Sequence, residues 1–413
     1  MNIAYFVDEF PPFFRGGLGT YATEISRKFI LKGHTLSVFS RNLGTDPTSG
    51  TWSGVEVHRP LLMKISDILF IINPAEVKTW DTNGQEFFAE TILYNILSAA
   101  KLVNYLVLKE GRHYDLLVAH DWLAAPAGII AKRNLGAPFV FHFHSTEEGR
   151  NPHGSNTIKD IERLAATIAD RVVTVSYAMR DELVSTGYPE GKIRVIHNGV
   201  DEQKYDAKRF PAGEVKAFRD RIGVGQSPMI FFIGRLTWVK GADMLVLAMT
   251  HIVKEIPDAK LVILGVGDME TMLAQMVRNL HLEDNVILHF RMVAEDERIR
   301  YYAAADVVVL PSKYEPFGIV CTEAMSMGKP VVVGARGTSG FREQVIPAGD
   351  GICGYHINPY DPLDIAKFVV DILEHPELAR TMGKNGRDRV LEQFTWEIAS
   401  ENTLRVYQEL MDA

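Results

Sequence analysis

Two basic residues in the segment GRLTWVKG, Arg235 and Lys240, directly follow the apolar run Met229–Ile233. A diphosphate that leaves a sugar gains negative charge as the glycosidic bond breaks, so cations fixed beside it stabilise the transition state more than the ground state. The structural alternative is that both side chains are solvated, as most arginines and lysines are. The pattern favours a diphosphate-binding loop but does not establish one by itself.

Two carboxylates in the segment PSKYEPFGIVCTEA, Glu315 and Glu323, follow the apolar run Val307–Leu310. Glu315 lies in the loop and Glu323 in the first turns of the predicted helix, so the two can reach different parts of one ligand. The structural alternative makes Glu323 a helix N-terminal acid that complements the helix dipole, and Glu315 a surface turn residue. The combination is more specific than either residue alone.

Two glycines, Gly16 and Gly17, lie between the apolar run Ile3–Val7 and a predicted helix. Glycines at this place let a phosphate approach the amides of a helix N terminus. A tight turn that needs a positive φ angle would explain them equally well. The pattern is not G-x-G-x-x-G, which disfavours an NAD-dependent enzyme.

Histidines end two further apolar runs of the first half, where His120 follows Leu116–Ala119 and His144 follows Phe139–Phe143. An isolated histidine is more often structural than catalytic, but the strand ends of a parallel sheet converge on one edge. This favours a functional role for His120, whereas a structural and a functional role of His144 are equally supported. His144 and the nearby Glu147 are the candidate acceptor-side residues.

No histidine spacing resembles a zinc site. No strand ends in an Asp-x-Asp of the kind that holds Mg²⁺ under a diphosphate, and Arg235 with Lys240 can take that role, so we predict no metal ion.

Short β-branched runs alternate with longer helical patterns along the chain, which predicts parallel sheets covered by helices on both faces. A polar stretch, Asp201–Gln226, separates two such series. We therefore predict two doubly wound domains of the α/β class, with ligands bound beyond the carboxyl ends of the strands, in a cleft that the two sheets face. The predicted strands are Ile3–Val7, Leu36–Ser40, Leu116–Ala119, Phe139–Phe143, Val172–Val175, Ile193–Ile196, Met229–Ile233, Leu261–Leu264, Val286–Leu288, Val307–Leu310 and Val331–Val333.

The composition argues against several classes of function. A formal net charge of −8 gives nucleic-acid binding no electrostatic support, and no basic face is evident for anionic lipid. Cys321 and Cys353 are too few for a disulfide framework, and the N-terminal MNIAYFVDEF lacks signal-peptide features, so we expect a cytoplasmic location. No apolar stretch reaches the ~20 residues of a membrane span, and membrane association is not expected. The sequence makes no prediction about oligomeric state.

The glycine turn, the Arg-x4-Lys pair and the Glu-x7-Glu pair, in this order on two Rossmann-like halves, resemble the GT-B glycosyltransferases. Within that fold the chain is similar to family 4 of the retaining enzymes and to the glycogen and starch synthases. The likeness covers nearly the whole chain, and EPFGIVCTEAMSMGKPVV is its most specific segment. It implies two Rossmann-like domains, an acceptor-side domain of residues 1–206 with 395–413 and a nucleotide-sugar-binding domain of residues 207–394, because the last helix of these enzymes returns to the first domain.

The resemblance also implies roles for the candidate residues. Arg235 and Lys240 would bind the donor diphosphate, and Glu323 the ribose hydroxyls. Glu315 would lie near the donor sugar, and His120 would contact the transferred hexose. The other implied donor-side residues are Gly16, Gly17, Phe317, Gly318, Ile319, Met292 and Thr338.

Two segments depart from the family pattern. Arg15 stands where the synthases carry lysine, and Arg291-Met292-Val293 replaces a segment in which family 4 usually has a glycine. These changes bear on acceptor choice and base preference rather than on the reaction class.

The predicted activity is retaining transfer of a hexose, foremost glucose, from a nucleotide-diphosphate sugar to a carbohydrate hydroxyl, without metal or other cofactor. The acceptor would be a glucan or small sugar, and residues 61–85 would help to bind it. Leu61–Ile72 could equally form a dimer contact or cover the core. A GT-B epimerase, a phosphorylase and a non-catalytic sugar-nucleotide-binding protein are alternatives. A glycoside hydrolase is another, but it would not need the cation pair.

Overall fold

The computed structural model describes residues 1–413 except 13–15, 45, 66–67, 69–72, 152 and 413. The chain divides into two compact units. Unit 1 comprises Met1–His197 and Trp396–Ala413, and unit 2 comprises Asn198–Thr395. Within the described ranges, no helix combines the length and the apolar character needed to cross a bilayer.

Unit 1 is built on an eight-stranded sheet with the order β3-β4-β2-β1-β5-β6-β7-β8. All neighbouring strands run parallel except β3 and β4, which form an antiparallel pair at the edge. In β5 and β6 every side chain is buried, which shows that both faces of the sheet are covered there. The strands are β1 Asn2–Phe6, β2 Thr35–Phe39, β3 Ser49–Trp52, β4 Val55–His58, β5 Leu116–His120, β6 Phe139–Phe143, β7 Arg171–Thr174 and β8 Ile193–Val195.

The last helix of the chain, Trp396–Met411, belongs to unit 1 and packs against the first helix, Gly17–Leu31. Glu397 of the last helix forms ion pairs with Lys28 and Lys32 of the first. The other helices of unit 1 are Thr82–Ala100, Asp121–Leu135, Glu147–Arg150, Asn156–Ile168 and Tyr177–Ser185, with a π-helical segment at Lys101–Val107 and 3-10 turns at Val77–Thr79 and Glu190–Lys192.

Unit 2 is built on a six-stranded sheet with the order β11-β10-β9-β12-β13-β14, and all its neighbouring strands run parallel. Numbered within the unit, this is the 3-2-1-4-5-6 order of the Rossmann fold. The strands are β9 Met229–Ile233, β10 Lys260–Leu264, β11 Val286–His289, β12 Val307–Leu310, β13 Val331–Gly334 and β14 Gly354–Ile357.

Helices flank the sheet of unit 2, and their apolar faces form one core with its strands. That core includes Leu245 and Met249 of the helix after β9 and Ile365 and Val369 of the helix after β14. The helices are Ala212–Arg221, Ala242–Glu255, Glu270–Asn279, Glu295–Ala304, Ile319–Ser326, Phe341–Gln344, Pro362–Glu374 and Pro376–Gln393, with 3-10 turns at Ala207–Arg209 and Trp238–Lys240.

The predicted fold class of two doubly wound parallel-sheet domains is confirmed, and each predicted strand is present to within one residue at either end. Three strands that the sequence did not predict are β3, β4 and β14, and two of them lie at sheet edges. Ser49–Trp52 is largely exposed, and Val55–His58 and Gly354–Ile357 mix buried with half-buried positions. Such strands carry no continuous apolar run, because some of their side chains are exposed or half-buried.

The boundary between the units lies after His197, earlier than the predicted boundary after residue 206. Residues between those two points are bonded into unit 2, since Val200 N donates to Phe394 O at 2.8 Å. The side chain of Ser326 donates to Tyr205 O at 2.7 Å, and Tyr205 is buried. These bonds join residues far apart in the chain, so the polar composition of the stretch could not reveal them.

Gly265, directly after β10, provides a test of how tightly the strand-end loops of unit 2 pack. It has a φ angle of +155°, and a Cβ atom there would lie 1.9 Å from the main-chain oxygen of Gly234. We expect Gly265→Ala to lower the free energy of unfolding by at least about 2–3 kcal/mol, because the backbone cannot retreat without strain. Chemical denaturation measures the change.

The matched control is Gly213→Ala. Gly213 lies in the Ala212–Arg221 helix, and no atom of the described part of the chain lies within 4 Å of an added Cβ. Alanine should stabilise a helix there by about 0.5–1 kcal/mol. Equal stability of the two variants would contradict close packing at Gly265.

Candidate active site

The loop after β9, Gly234–Gly241, is anchored at several points along its backbone. Leu236 N donates to Val266 O at 2.8 Å. Gly241 has a φ angle of +71°, and a Cβ there would lie 2.1 Å from the main-chain oxygen of Pro311, so only glycine fits. The two basic side chains of the loop therefore extend from a backbone with little freedom.

Lys240 and Glu315, predicted separately from two segments, meet in the structure. The Nζ atom of Lys240 lies 2.5 Å from Oε2 of Glu315, and the Ser312 hydroxyl donates to the same oxygen at 3.2 Å. Glu315 is 7% exposed, so the interpretation of it as a surface turn residue is wrong. Arg235 is exposed and forms no ion pair with the described residues. The loop after β9 thus carries one paired cation and one open cation.

Gly318 sets the geometry between Glu315 and the following helix. Its φ angle is +87°, and a Cβ there would lie 2.3 Å from the Phe341 ring and 2.9 Å from Cγ of Glu315. The Ile319–Ser326 helix starts directly after it, so its first amides, which have no partner within the helix, follow Glu315 by a few residues in the chain. Phe317 is buried, and its carbonyl accepts from Gln344 at 2.7 Å.

Glu323 is 3% exposed and lies inside a hydrogen-bonded cluster. Oε2 accepts from the Tyr302 hydroxyl at 2.7 Å, and Oε1 lies 3.2 Å from the Arg298 guanidinium. That guanidinium also donates to the Tyr205 hydroxyl at 2.5 Å. Glu323 does not belong to the first turn of its helix, so the interpretation of it as an N-terminal dipole partner is wrong. Its carboxylate is held instead by a partly buried cation and a phenol.

The two remaining donor-side candidates of unit 2 lie in different settings. Thr338 contributes its main-chain oxygen, which accepts from Glu315 N at 3.0 Å. Met292 is 64% exposed in the loop after β11, beside Arg291, which pairs with Glu297 at 2.7 Å. The structure therefore joins Thr338 to the Glu315 loop and leaves the Met292 side chain in solvent.

In unit 1, Gly16 precedes the Gly17–Leu31 helix with a φ angle of −153° and a ψ angle of −172°. A Cβ atom at Gly16 would meet no atom of the described residues within 4 Å. A positive φ angle therefore does not explain this glycine. Arg15, which precedes it, lies outside the described residues.

Three histidines meet at the carboxyl ends of β5 and β6. His120 is fully buried, and its Nδ1 lies 3.0 Å from Nε2 of His144, which is partly exposed. The ring of His142 lies 4.5 Å from that of His120, and its Nε2 lies 2.9 Å from the Tyr407 hydroxyl. His144 is therefore the more accessible of the two rings, and His120 is covered.

The ligand atoms of His120, His142 and His144 all lie within 4.8 Å of one another, close enough to hold a metal ion. The spacing in the sequence carried no such signal, because the residues come from two strands. The His120–His144 contact nevertheless has the length of a hydrogen bond, and His142 is bonded to Tyr407. We therefore interpret the group as a hydrogen-bonded cluster.

Glu147, a predicted acceptor-side residue, organises its own loop. Its Oε1 accepts from Ser155 N at 3.0 Å, and its Oε2 lies 3.4 Å from Arg150. A Cβ at Gly154 would lie 2.4 Å from Oε1, so the loop closes tightly around this carboxylate. The structure places Glu147 at the base of the loop rather than at an open position.

The predicted acceptor segment 61–85 contacts the same loop region. Glu76 accepts hydrogen bonds from Asn156 N at 2.9 Å and from Thr157 N at 2.8 Å, at the start of the Asn156–Ile168 helix. Val77 packs in a small core with Trp122, directly after β5. Residues 66–67 and 69–72 of the segment lie outside the described residues.

Two family models match the chain. The model described as Glycosyltransferase Family 4 matches residues 15–204, and the model described as Glycosyl transferases group 1 matches residues 215–389. An uncharacterized glycosyltransferase of Methanocaldococcus jannaschii is 33% identical, over 100% of this chain and 99% of the relative. The chain belongs to the group 1, family 4 glycosyltransferases.

Relatives of known name indicate which members this glycosyltransferase is similar to. A glycogen synthase of Mycobacterium tuberculosis is 29% identical over 97% of this chain and 92% of the relative. The solved structure of a sucrose-phosphate synthase from Thermosynechococcus elongatus superposes with a TM-score of 0.78 at 24% identity, over 100% of this chain and 99% of that one. The fold is therefore GT-B, and the similarity to glycogen synthases that the motifs indicated is confirmed.

Sequence reasoning missed one residue of unit 1 that holds its candidate site together. Asp121 has a φ angle of +51°, unusual for a residue other than glycine, and its Oδ1 accepts from His144 N at 2.7 Å. Its place directly after His120 in the segment HDW was the available signal.

In unit 2 of the glycosyltransferase, no motif indicated the residues that contact the two glutamates. Ser312, Arg298 and Tyr302 hold the two glutamates, yet the last two lie on a helix before β12 whose sequence carries no recognisable pattern.

Burial lowers the pKa of His120, His142 and His144, and the neighbouring rings add to the effect at His120 and His142. Asp121 partly opposes the shift at His144. The unfolded chain therefore binds more protons than the folded protein below about pH 6.5. The free energy of unfolding therefore falls as the pH drops through this value, and these histidines do not lower it at higher pH.

His142→Phe tests this linkage. It should cost about 1 kcal/mol at pH 7.5 through loss of the Tyr407 hydrogen bond. Below pH 6.5 the unfolding free energy should also decrease less steeply with falling pH than in the wild type, by up to about 1.4 kcal/mol per pH unit, because one titrating group is gone. Urea unfolding between pH 7.5 and 5.5 measures both effects, with the exposed His153→Asn as control. An unchanged slope in His142→Phe would show that His142 does not titrate in this way.

Proposed function

We propose that this glycosyltransferase moves glucose from a nucleotide-diphosphate glucose to a hydroxyl of a glucan or small sugar, with retention of configuration. The observation that carries the proposal is the group on the strand-end loops of unit 2. There the exposed Arg235 accompanies a Lys240–Glu315 contact of 2.5 Å. Cations and a carboxylate on adjoining loops suit a substrate with an anionic diphosphate on one side and sugar hydroxyls on the other.

The reaction breaks the bond between the anomeric carbon and a diphosphate oxygen, and forms a bond from that carbon to the acceptor oxygen. The acceptor proton passes to the departing diphosphate. Arg235 and Lys240 would neutralise the charge that grows on the diphosphate. The loops after β9 and β12 follow neighbouring strands where the strand order reverses, the usual ligand site of such sheets.

The two glutamates would bind different parts of the donor. Glu315 shares one oxygen with Lys240 and Ser312, which leaves its other oxygen for sugar hydroxyls near the reacting bond. Glu323 is oriented by Arg298 and Tyr302, and would accept hydrogen bonds from the ribose. A fixed carboxylate suits a contact that changes little between the bound donor and the transition state.

In unit 1 we assign the sugar-facing role to His144, with His120 behind it. His120 is completely buried, whereas His144 is partly exposed and its main chain is held by Asp121. The Glu147–Ser155 loop and residues 74–80, which share the contacts of Glu76, would approach the acceptor. Loops carried by a rigid sheet commonly supply such specificity.

The names of relatives support the choice of donor and acceptor. One relative is a glycogen synthase, and a starch synthase IV from Arabidopsis thaliana with TM-score 0.76 is bound to ADP and acarbose. These point to an α-glucan acceptor and a nucleoside-diphosphate glucose donor. We also propose a cytoplasmic location, since both cysteines are free.

A donor screen tests the proposed function. UDP-, ADP- and GDP-glucose would be supplied with and without maltooligosaccharides or small sugars, and nucleotide release and product configuration would be measured. Acceptor-dependent release with an α-linked product is expected. Release of free sugar from glycosides, or donor binding without turnover in any combination, would contradict the proposal.

Arg235→Ala and Lys240→Ala should each lower turnover about 10²–10³-fold, the scale for removal of one preorganised stabilising group. Lys240→Ala should also lower stability, because it leaves the Glu315 carboxylate buried without its cation. Steady-state nucleotide release and urea denaturation separate the two effects. The exposed Lys254→Ala, on the helix after β9, is the matched control.

Since the chain supplies its own cations, we propose that no metal ion is needed. Rates should be the same with and without EDTA. A loss in EDTA that added metal restores would contradict this assignment and direct attention to the three histidines.

The glutamates should differ in kinetic effect. Glu323→Gln should raise the donor KM about tenfold or more with little change in kcat, through loss of a charged hydrogen bond to the ribose. Glu315→Gln should lower kcat about 10²-fold, through misplacement of the donor sugar. Full kinetics for both variants, checked for native stability, provide the comparison. The reverse pattern would exchange the two roles.

A further inference from the structure

His120 and His144 are joined by a hydrogen bond that uses one nitrogen of each ring. Nδ1 of His120 lies 3.0 Å from Nε2 of His144, so one of these atoms donates and the other accepts. The two rings are tilted by 33°, with centroids 5.3 Å apart. Tyr5 and His142 pack against His120 at centroid distances of 4.4 and 4.5 Å, so its ring has no room to turn.

The other nitrogen of His120, Nε2, is buried and has no hydrogen-bond partner within the described part of the chain. Burial keeps this imidazole neutral, so it carries one N–H. A proton on Nε2 would be a buried donor without an acceptor. A proton on Nδ1 is donated to His144 and leaves only an unfilled lone pair, which costs less. The surroundings therefore favour the Nδ1–H form of His120.

The proton position on His120 decides the proton position on His144. If Nε2 of His144 accepts from His120, the single N–H of a neutral His144 is on Nδ1. Nδ1 makes no hydrogen bond with the described residues, and His144 is partly exposed. Oδ1 of Asp121 accepts from His144 N at 2.7 Å, which anchors the backbone that carries this ring.

We propose that His120 is a positioning residue that fixes the proton of His144 on Nδ1, so that His144 presents an N–H donor to an oxygen of the bound ligand. That the oxygen is a sugar hydroxyl rests on the proposed function. The proton position does not, because it follows from the contacts of the free protein.

The direct test is the tautomer of His144 in the wild-type protein. With ring-¹⁵N-labelled histidine, two-bond ¹⁵N–¹H spectra distinguish a protonated from an unprotonated ring nitrogen, and His144→Gln assigns the signals. Nδ1–H on His144 and on His120 is the expected result. Nε2–H on His144, or ring signals that shift when EDTA strips a bound metal, would overturn the inference.

Two variants of His120 test the positioning role. His120→Asn keeps an amide N–H near the Nδ1 position, whereas His120→Leu fills similar space without a donor. We expect His120→Leu to populate the other tautomer of His144 and to lower kcat about tenfold or more, with donor KM little changed. His120→Asn should retain the wild-type tautomer and recover most of the rate.

A wild-type tautomer and wild-type kcat in His120→Leu would overturn the positioning role. The wild-type spectrum does not depend on either His120 variant, so a folding defect in one of them leaves the inference testable. If the wild-type protein transferred no sugar in any assay, only the identity of the ligand would fall with the proposed function, and the spectrum would still decide the proton position.

Discussion

Both sheets reverse their strand order at one point, between β1 and β5 in unit 1 and between β9 and β12 in unit 2. Connections on the two sides of such a point leave in opposite directions, so the loops after those strands leave a crevice that no helix fills. Candidate groups of each unit follow these strands: Gly16 and His120 in unit 1, and Arg235 and Glu315 in unit 2. The rest of each unit, a core of buried strands and flanking helices, holds these loops in place.

The buried charges of unit 2 impose a second constraint. Glu315 and Glu323 are 7% and 3% exposed, and an unpaired carboxylate at that depth would be costly. Lys240 and Ser312 compensate the first, and Arg298 and Tyr302 the second. Each partner also orients the carboxylate it stabilises. A buried ion pair adds little net stability, and its value here is geometric.

Unit 1 uses neutral groups for a similar purpose. His120 is hydrogen-bonded to His144, and His142 to Tyr407. Burial lowers the pKa of all three histidines and keeps them uncharged near neutral pH. Tyr407 comes from the last helix of the chain, which therefore supports the candidate site as well as the core. A neutral cluster suits contact with sugar hydroxyls, which carry no charge but need directed donors and acceptors.

The sequence by itself determined the strands that are covered on both faces, because such a parallel strand must be an apolar run. It also placed the candidate residues at the ends of those runs. It also determined the family, through motifs local in the chain. Only the tertiary structure decided which side chains meet: Lys240 with Glu315, Arg298 with Glu323, and His120 with His144. It also showed that His120 is fully buried and His144 partly exposed, because burial depends on what packs above a strand end. Such pairings depend on strand order and on distant helices, which apolar runs do not encode.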